Sequence, residues 1–404
     1  MSAHRVCLHE IAEIGLGFAF KSVDFSKDGT GTRLLRGDNI VQGATRWNRA
    51  ELWPDDNAPD PRYQLAEDDV VLAMDRPWIE AGLKFARIRA ADIPSLLVQR
   101  VARLRVKAGN DQRFLAAVIG SRSFSDYILS VQTGTAVPHI SGGQIGSYSF
   151  EIPRLSIQTG IAEVLGALDD KIAANTSLAQ TIVELLEVEI GHRWLGARDE
   201  VDDSDLASIS ELIEFNPSLQ RPPEASPVYV DMKKLPESGS GIIDWDSRPA
   251  QGGARFSQGD TLLARITPCL QNRKTGFVDF LEPGQVAIGS TEFIVMRSRP
   301  HLAKAVSYFV AVSPDFRDFA IRHMVGTSGR QRASASDLAL FQVPQPDASW
   351  LQDFGARADA QFVFLKSLRD ESRILATTRD ALLPQLMSGK LRVKDAEKSL
   401  AGVL

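Results

Sequence analysis

Thiols are scarce in this chain. Cys7 and Cys269 are its only two cysteines among 404 residues, one in each half. A pair so far apart offers neither a disulfide scaffold nor a metal framework, and it suits a reducing, cytoplasmic setting. Long apolar runs are also missing. No stretch reaches the roughly 18 residues that a membrane span needs, and the region after Met1 has no signal-peptide core. The six histidines, His4, His9, His139, His192, His301 and His323, show no close metal-ligand spacing. No segment matches a phosphate-binding P-loop. Gly15-Leu-Gly17 and Gly252-Gly253 lack the strand–helix context of a nucleotide site and read as turn glycines. No pair of carboxylates stands out as an acid/base couple. These gaps leave no catalytic centre, no metal and no cofactor in view.

What is present is the composition of a globular chain, 44% hydrophobic and 24% charged, with length enough for two domains or more. The formal net charge of −5 argues against a uniformly basic surface. The charges are segregated, however. Arg76, Lys84, Arg87, Arg89, Arg100, Arg103, Arg105 and Lys107 face only Glu80 and Asp92 over one stretch, whereas Asp199, Glu200, Asp202, Asp203, Asp205, Glu211 and Glu214 form an acidic run without a base.

The middle of the chain carries the clearest periodicity. Ile157, Ile161, Val164, Leu168, Ile172, Leu178, Ile182 and Leu185 recur mostly at steps of three and four, the stripe of a helix burying one face. At ~1.5 Å per residue such a helix spans on the order of 55 Å, longer than a small domain is wide. A second stripe, Leu351, Phe354, Ala358, Leu365, Leu368, Leu375, Leu382 and Leu386, follows Pro346, diluted by Gln361, Ser372 and Arg379.

Around the first helix the plan repeats. Asp260-Thr-Leu-Leu-Ala264 answers Asp69-Val-Val-Leu-Ala73, Val325-Gly-Thr327 answers Thr133-Gly-Thr135, and Val343-Pro344 answers Ile152-Pro153, all at an offset of about 190 residues. Three matched segments in one order at one offset, with a long helix after each set, point to duplication. The expected fold is α+β: two similar mixed domains separated by two long antiparallel helices, with an internal pseudo-twofold repeat. The expected limits are 1–153 for the first domain, 154–196 for the central helix, 197–344 for the second domain, 345–393 for the second helix and 394–404 for a tail. Each helix needs a partner for its apolar stripe, and the other helix is the nearest one. The product would be a rod holding two similar globules at a fixed separation.

Asn216-Pro217-Ser218 resembles the Asn-Pro-Pro-aromatic signature of amino-methyltransferases, but Ser218-Leu219 stands where the Pro-aromatic pair is needed and no methyl-donor loop precedes it. It reads as a loop. The loops after the two Gly-Thr sites are more informative. Arg322-His-Met-Val-Gly-Thr-Ser-Gly-Arg-Gln-Arg332 is dense in phosphate donors and base-edge readers, because Arg can fork onto guanine and Gln onto adenine. Its candidate contacts are Arg322, Thr327, Ser328, Arg330, Gln331 and Arg332. The first loop offers Thr133, Thr135 and His139. A third cluster after the strand at 261–264 offers Arg265, Asn272 and Lys274, and the first domain adds Arg36, Asn39, Arg76, Lys84 and Arg100 as candidate DNA contacts.

Several of these segments are similar to one known family. The tail Leu382-Leu-Pro-Gln-Leu-Met-Ser-Gly-Lys-Leu-Arg-Val393, the helix Val164-Leu-Gly-Ala-Leu-Asp-Asp-Lys-Ile172 with Asn175, and Leu35-Arg-Gly-Asp-Asn-Ile40, Gln99-Arg-Val101, Tyr229-Val-Asp-Met232 and the Gly-Thr loops resemble elements of the specificity (S) subunit of type I restriction–modification enzymes. Pro153-Arg154-Leu155 and Pro344-Gln345-Pro346 depart from that family's double-proline start to each helix. The resemblance implies two target recognition domains, each reading one half of a bipartite site in double-stranded DNA. It implies two modification subunits carrying an adenine methyltransferase and restriction subunits carrying a translocase and nuclease, with this chain itself non-catalytic. A DNA methyltransferase or nuclease acting alone, or a coiled-coil scaffold without a DNA role, are the alternatives.

Overall fold

A computed structural model describes residues 4–402 except 48–49, 58, 80–81, 135, 250–251 and 328; the side chains at 198–200 and 203 also fall outside that description. Contacts divide the chain into two compact units, Met1–Lys171 with Ile374–Leu404, and Ile172–Arg373. The division falls inside both long helices, Leu155–Arg193 and Ala348–Met387.

The first unit is built on a five-stranded sheet, in the order Ala12–Leu16, Val101–Val106, Val70–Ala73, Phe85–Arg87, Gln42–Gly43. Its central strand Val70–Ala73 is buried on both faces, as its unbroken apolar sequence requires. A second sheet pairs Ser95–Leu97 parallel to Thr32–Leu35, with Leu52–Trp53 antiparallel beyond. Leu96 and Val101 therefore belong to different sheets. Sequence alternation runs them together, but Arg100, at φ 66°, turns the chain between them. Residues 112–131 fold as two helices, Gln112–Ile119 and Arg122–Val131, because Ser121 caps the second through Phe124 N–H (3.1 Å).

The second unit repeats this order. Ile213–Phe215, Phe293–Ser298, Thr261–Ala264 and Thr275–Phe277 form an antiparallel sheet that matches the first four strands of the other, and Val228–Val230 runs parallel to Val286–Gly289 as Thr32–Leu35 does to Ser95–Leu97. One buried ion pair recurs at equivalent positions. Asp69 (3% exposed) accepts Ala66 N–H and both edges of the Arg105 fork, and Asp260 (1% exposed) accepts Ser257 N–H and the fork of Arg297 at 2.7 and 2.8 Å. Each carboxylate closes the turn into the central strand and ties it to the neighbouring strand. Asp260→Ala leaves the Ser257 N–H and the half-buried Arg297 fork without their acceptor, so it is expected to destabilise by about 3 kcal/mol in urea unfolding of the full chain. Asp260→Asn, which still accepts Ser257 N–H, should lose less. Equal midpoints for parent and Asp260→Ala would rule this account out.

Both long helices bury a seam, but not quite the expected one. Ile161, Leu165 and Leu168 are buried in the first unit, and Val183, Leu186 and Ile190 in the second, whereas Leu178 and Leu185 are 44% and 64% exposed. The reason is Asn175. It lies in the seam at 5% exposure, its Nδ2 donating to Glu371 Oε2 (2.6 Å) and Ser372 Oγ (3.4 Å), so a polar residue interrupts the apolar pattern and the periodicity follows the wrong leucines beyond it. Within the second unit the helices are antiparallel: Asn175 meets Glu371 and, further along, Glu189 meets Arg357. Phe354, Phe362 and Leu365 then pack with Tyr308 and Phe309 into the unit's main core. Within the first unit Arg379 donates to Asp169 (2.7 Å). The second helix ends at Met387 with Gly389 left-handed at φ 70°, and a short helix, Val393–Leu400, follows, with Val393 against Gly160.

Candidate nucleic-acid interface

In the first unit the Gly-Thr loop is a closed hairpin. Thr133 and His139 exchange backbone hydrogen bonds (2.9 and 2.7 Å), and Gly134, at φ 90°, makes the reversal possible. The loop is pinned to the end of the central strand: Ile140 N–H donates to the Met74 carbonyl and Arg76 N–H to the Pro138 carbonyl. This places His139 beside Asp75, with Nδ1 2.6 Å from Oδ1, and Arg100 lies 3.7 Å from the same carboxylate. Arg76 is exposed next to them, and Thr133 is exposed on the hairpin.

The second unit builds the same structure from different residues. Val325 and Arg332 exchange backbone hydrogen bonds (2.9 Å each), Gly326 sits at φ 136°, and Ala333 N–H donates to the Arg265 carbonyl as Ile140 does to Met74. Arg332 therefore occupies the position of His139. Its Nε and Nη2 grip Glu292 (2.9 and 2.7 Å), and Arg265 Nε lies 3.7 Å from that carboxylate. The Arg332 hydrogen bonds hold the Glu292 carboxyl below its ordinary range. Thr327 and Arg330 are exposed on the loop, Arg322 is exposed at the end of its helix, and the Gln331 carbonyl accepts Thr267 N–H (3.1 Å).

Lys84 and Lys274 form another equivalent pair, each just before the strand that follows the central one. Lys84 is 8% exposed, its ammonium 3.9 Å from Asp38, and burial, with Arg46 and Arg76 nearby, pushes its pKa down. Lys274 donates to the Met232 carbonyl (3.1 Å). Asn272 lies in the intervening turn, its N–H donating to the Pro268 carbonyl.

Not every candidate reaches a surface. Asn39 is corrected to an internal role: it is 3% exposed, its Oδ1 accepts Arg36 N–H and its Nδ2 donates to the Arg46 carbonyl. Arg36 is half-buried, 3.8 Å from Glu51. Thr135 and Ser328 lie outside the described residues. Most of the basic run is also spent inside the unit. Arg87 and Arg89 hold Asp170 on the long helix (2.8 and 2.9 Å), Arg103 is 6% exposed on the Arg62 carbonyl, and Arg105 holds Asp69. The sequence reading missed Asp75 and Glu292. The signal that could have found them is an acid next to a basic loop, where it can aim a cation. Asn216 proves to be a turn residue. It is left-handed at φ 50°, its N–H donates to the Val295 carbonyl and its Oδ1 accepts Val295 N–H (3.0 Å). That side-chain carbonyl is thereby committed to backbone.

With this geometry in place, the likeness to known proteins can be stated. Residues 4–184 match the type I restriction modification DNA specificity domain. That segment carries the likeness to the type I specificity domain family. Over 156 residues, 38% of the chain, it is 38% identical to the type I restriction enzyme EcoAI specificity subunit of Escherichia coli, covering 26% of that protein. Over 169 residues, 41% of the chain, it is 30% identical to the MjaVIII specificity subunit of Methanocaldococcus jannaschii, covering 39% of it. The chain thus spans between about a quarter and two fifths of these relatives' lengths. A crystal structure of the type I restriction–modification system S subunit from M. genitalium matches over 95% of the chain and 96% of its own, at 13% identity and a TM-score of 0.51. That match concerns the fold, and it extends past the matched residues 4–184 into the second unit. The fold is α+β, with β-rich domains and two long helices. Among the described residues, no helix is long and apolar enough to cross a membrane and no cluster of three or more His, Cys, Asp or Glu could hold a metal.

Proposed function

We propose that this chain is the sequence-specific DNA-binding subunit of a type I restriction–modification complex. Each unit reads one half of a bipartite target in double-stranded DNA, and the chain directs methylation or cleavage performed by partner subunits. One observation carries the reading most: a specificity domain is followed by a second unit of the same strand order, with its loop pinned at the same place. On this proposal residues 1–153 and 197–344 are the two recognition domains, and 154–196 and 345–393 are the helical spacers. Two modification subunits supply the methyltransferase, restriction subunits supply the translocase and nuclease, and this chain adds no chemistry of its own. Leu178, Leu185 and Val188, exposed along one helix, support a protein partner there, since surface leucines at that spacing leave an apolar stripe in water.

Methylation mapping of the host genome with and without the gene tests the proposal. A bipartite adenine-methylated motif that disappears with the gene is expected, and an unchanged methylation map would refute it. A second prediction concerns the chain by itself. Binding of the purified chain to duplex DNA should be weak and steeply salt-dependent. If the two units together neutralise about six phosphates, affinity falls by about 10³ between 50 and 200 mM salt. A fluorescence titration showing salt-independent binding would argue against phosphate contacts altogether.

A further inference from the structure

From the equivalence of His139 and Arg332 we infer that this one position of the duplicated module is a base-reading position, filled by His139 in the first unit and by Arg332 in the second, each aimed by its own carboxylate. The inference rests on the proposed function and adds the residues that set specificity. Three observations support it. Both residues close the hairpin by a reciprocal backbone pair, and both precede the residue whose N–H is bonded to the end of the central strand. Both are partly exposed, His139 by 30% and Arg332 by 40% of the side chain. Both are paired with an acid that comes from a neighbouring part of the sheet rather than from the loop, Asp75 and Glu292.

The chemistry of the pairing explains why an acid belongs beside a DNA-reading loop. A guanidinium has two bidentate edges, the side formed by Nε and Nη2 and the end formed by Nη1 and Nη2. Glu292 takes the side edge of Arg332. The end edge faces away from the carboxylate; its Nη1 donates one N–H to the Arg330 carbonyl (3.4 Å) and keeps the other for a ligand. An end edge held in this way suits the O6 and N7 acceptors of a guanine, the commonest specific contact in the major groove. Fixing the fork beforehand also reduces the rotamer entropy that a flexible arginine loses on binding. His139 uses Nδ1 on Asp75 and presents Nε2 alone, so it makes one hydrogen bond to a base edge instead of two. Arg332 therefore discriminates more strongly than His139. Asp75 and Glu292 are positioning residues, acting through the side chains they hold.

The test is a methylation-site map of the full chain co-expressed with the modification genes of its own genome, beside variants. Arg332→Ala should relax one G·C pair in one half-site, with discrimination there falling by about 10- to 100-fold and the other half unchanged. His139→Ala should relax one base pair in the other half, by a smaller factor. Glu292→Gln keeps the shape of the carboxylate, loses its charge, and should relax the same base pair as Arg332→Ala; a Glu292 that merely supported the fold would lower overall methylation without touching the motif. If Arg332→Ala abolishes methylation, Arg332→Lys, which keeps the charge and loses the fork, decides the matter. Relaxation at one pair sustains the inference, and an unchanged motif overturns it. Uniformly weaker methylation on an intact motif in every variant also overturns it. A parent chain that directs no bipartite methylation fails the functional proposal itself, and that result is distinguishable from the others.

Discussion

On the proposed function, exchange of residues 4–152 for the matching segment of a type I specificity domain is expected to redirect methylation to a new sequence in one half of the target while the other half stays as it was. The fold explains why that cut is clean. His4–Cys7 pairs antiparallel with Ser149–Ile152, His4 opposite Ile152, so the segment begins and ends on one ladder that closes on itself. Among the described residues every sheet of the segment is made from strands within it. Its polar links to the long helix gather at two places: Gln158 and Thr159 bond Asn110 and Asp111, and Asp169 and Asp170 accept from Arg87 and Arg89. A donor that keeps partners for Gln158 and Asp170 should seat on the helix as the native segment does. Each mismatched base pair costs about 1–3 kcal/mol, so three or more changed pairs should cut use of the original site by a factor of about 10² or more. Methylation mapping of the chimera reads this directly. A change in both halves would show that the two units do not read independently.

Much of this architecture is legible in the sequence, and the parts that are not share a physical cause. The two long helices and the duplicated strands are written in apolar periodicity, which burial of a face enforces wherever the residues are nonpolar. The periodicity misleads where a polar residue is buried with a partner far away in sequence. Asn175 sits in the helix seam because Glu371 and Ser372 satisfy its amide, and without that knowledge Leu178 looks like the next seam residue. The same limit affects the site. A run of arginines reads as a nucleic-acid surface, yet Arg87, Arg89, Arg103 and Arg105 are held by Asp170, by the Arg62 carbonyl and by Asp69, none of which is local to them. The Gly-Thr repeats, by contrast, locate both hairpins from the sequence, because a left-handed glycine at the reversal is a local requirement. What the repeats do not reveal is that His139 and Arg332 share a position, since the two residues have no chemical likeness and only the backbone pairing aligns them.

Removal of Arg369 should destabilise the second unit by several kilocalories per mole, and the loss should depend on pH. Arg369, on the helix Ala348–Met387, is bonded to Asp279, which follows the strand Thr275–Phe277, and the guanidinium packs where any side chain at Gly241 would have to go. The Asp279 side chain is only 8% exposed. Burial raises its pKa, while Arg369 and then Lys366 pull it back, with burial prevailing. In Arg369→Ala the main restraint is gone, so the folded-state pKa climbs further above the value of about 3.9 in an unfolded chain. An acid whose pKa is raised on folding contributes its stability below the unfolded value and loses it as pH rises through the folded one. The deficit relative to the parent should therefore be small near pH 4 and reach about 3–5 kcal/mol at pH 8, where a buried carboxylate is left unpaired. Urea unfolding of both chains at several pH values measures it. Asp279→Asn supplies the control, because in that background removal of Arg369 leaves no buried charge behind, and both the cost and its pH dependence should shrink. A deficit equal at all pH values would mean that Arg369 holds the helix to the strand Thr275–Phe277 by packing alone, with Asp279 as a bystander.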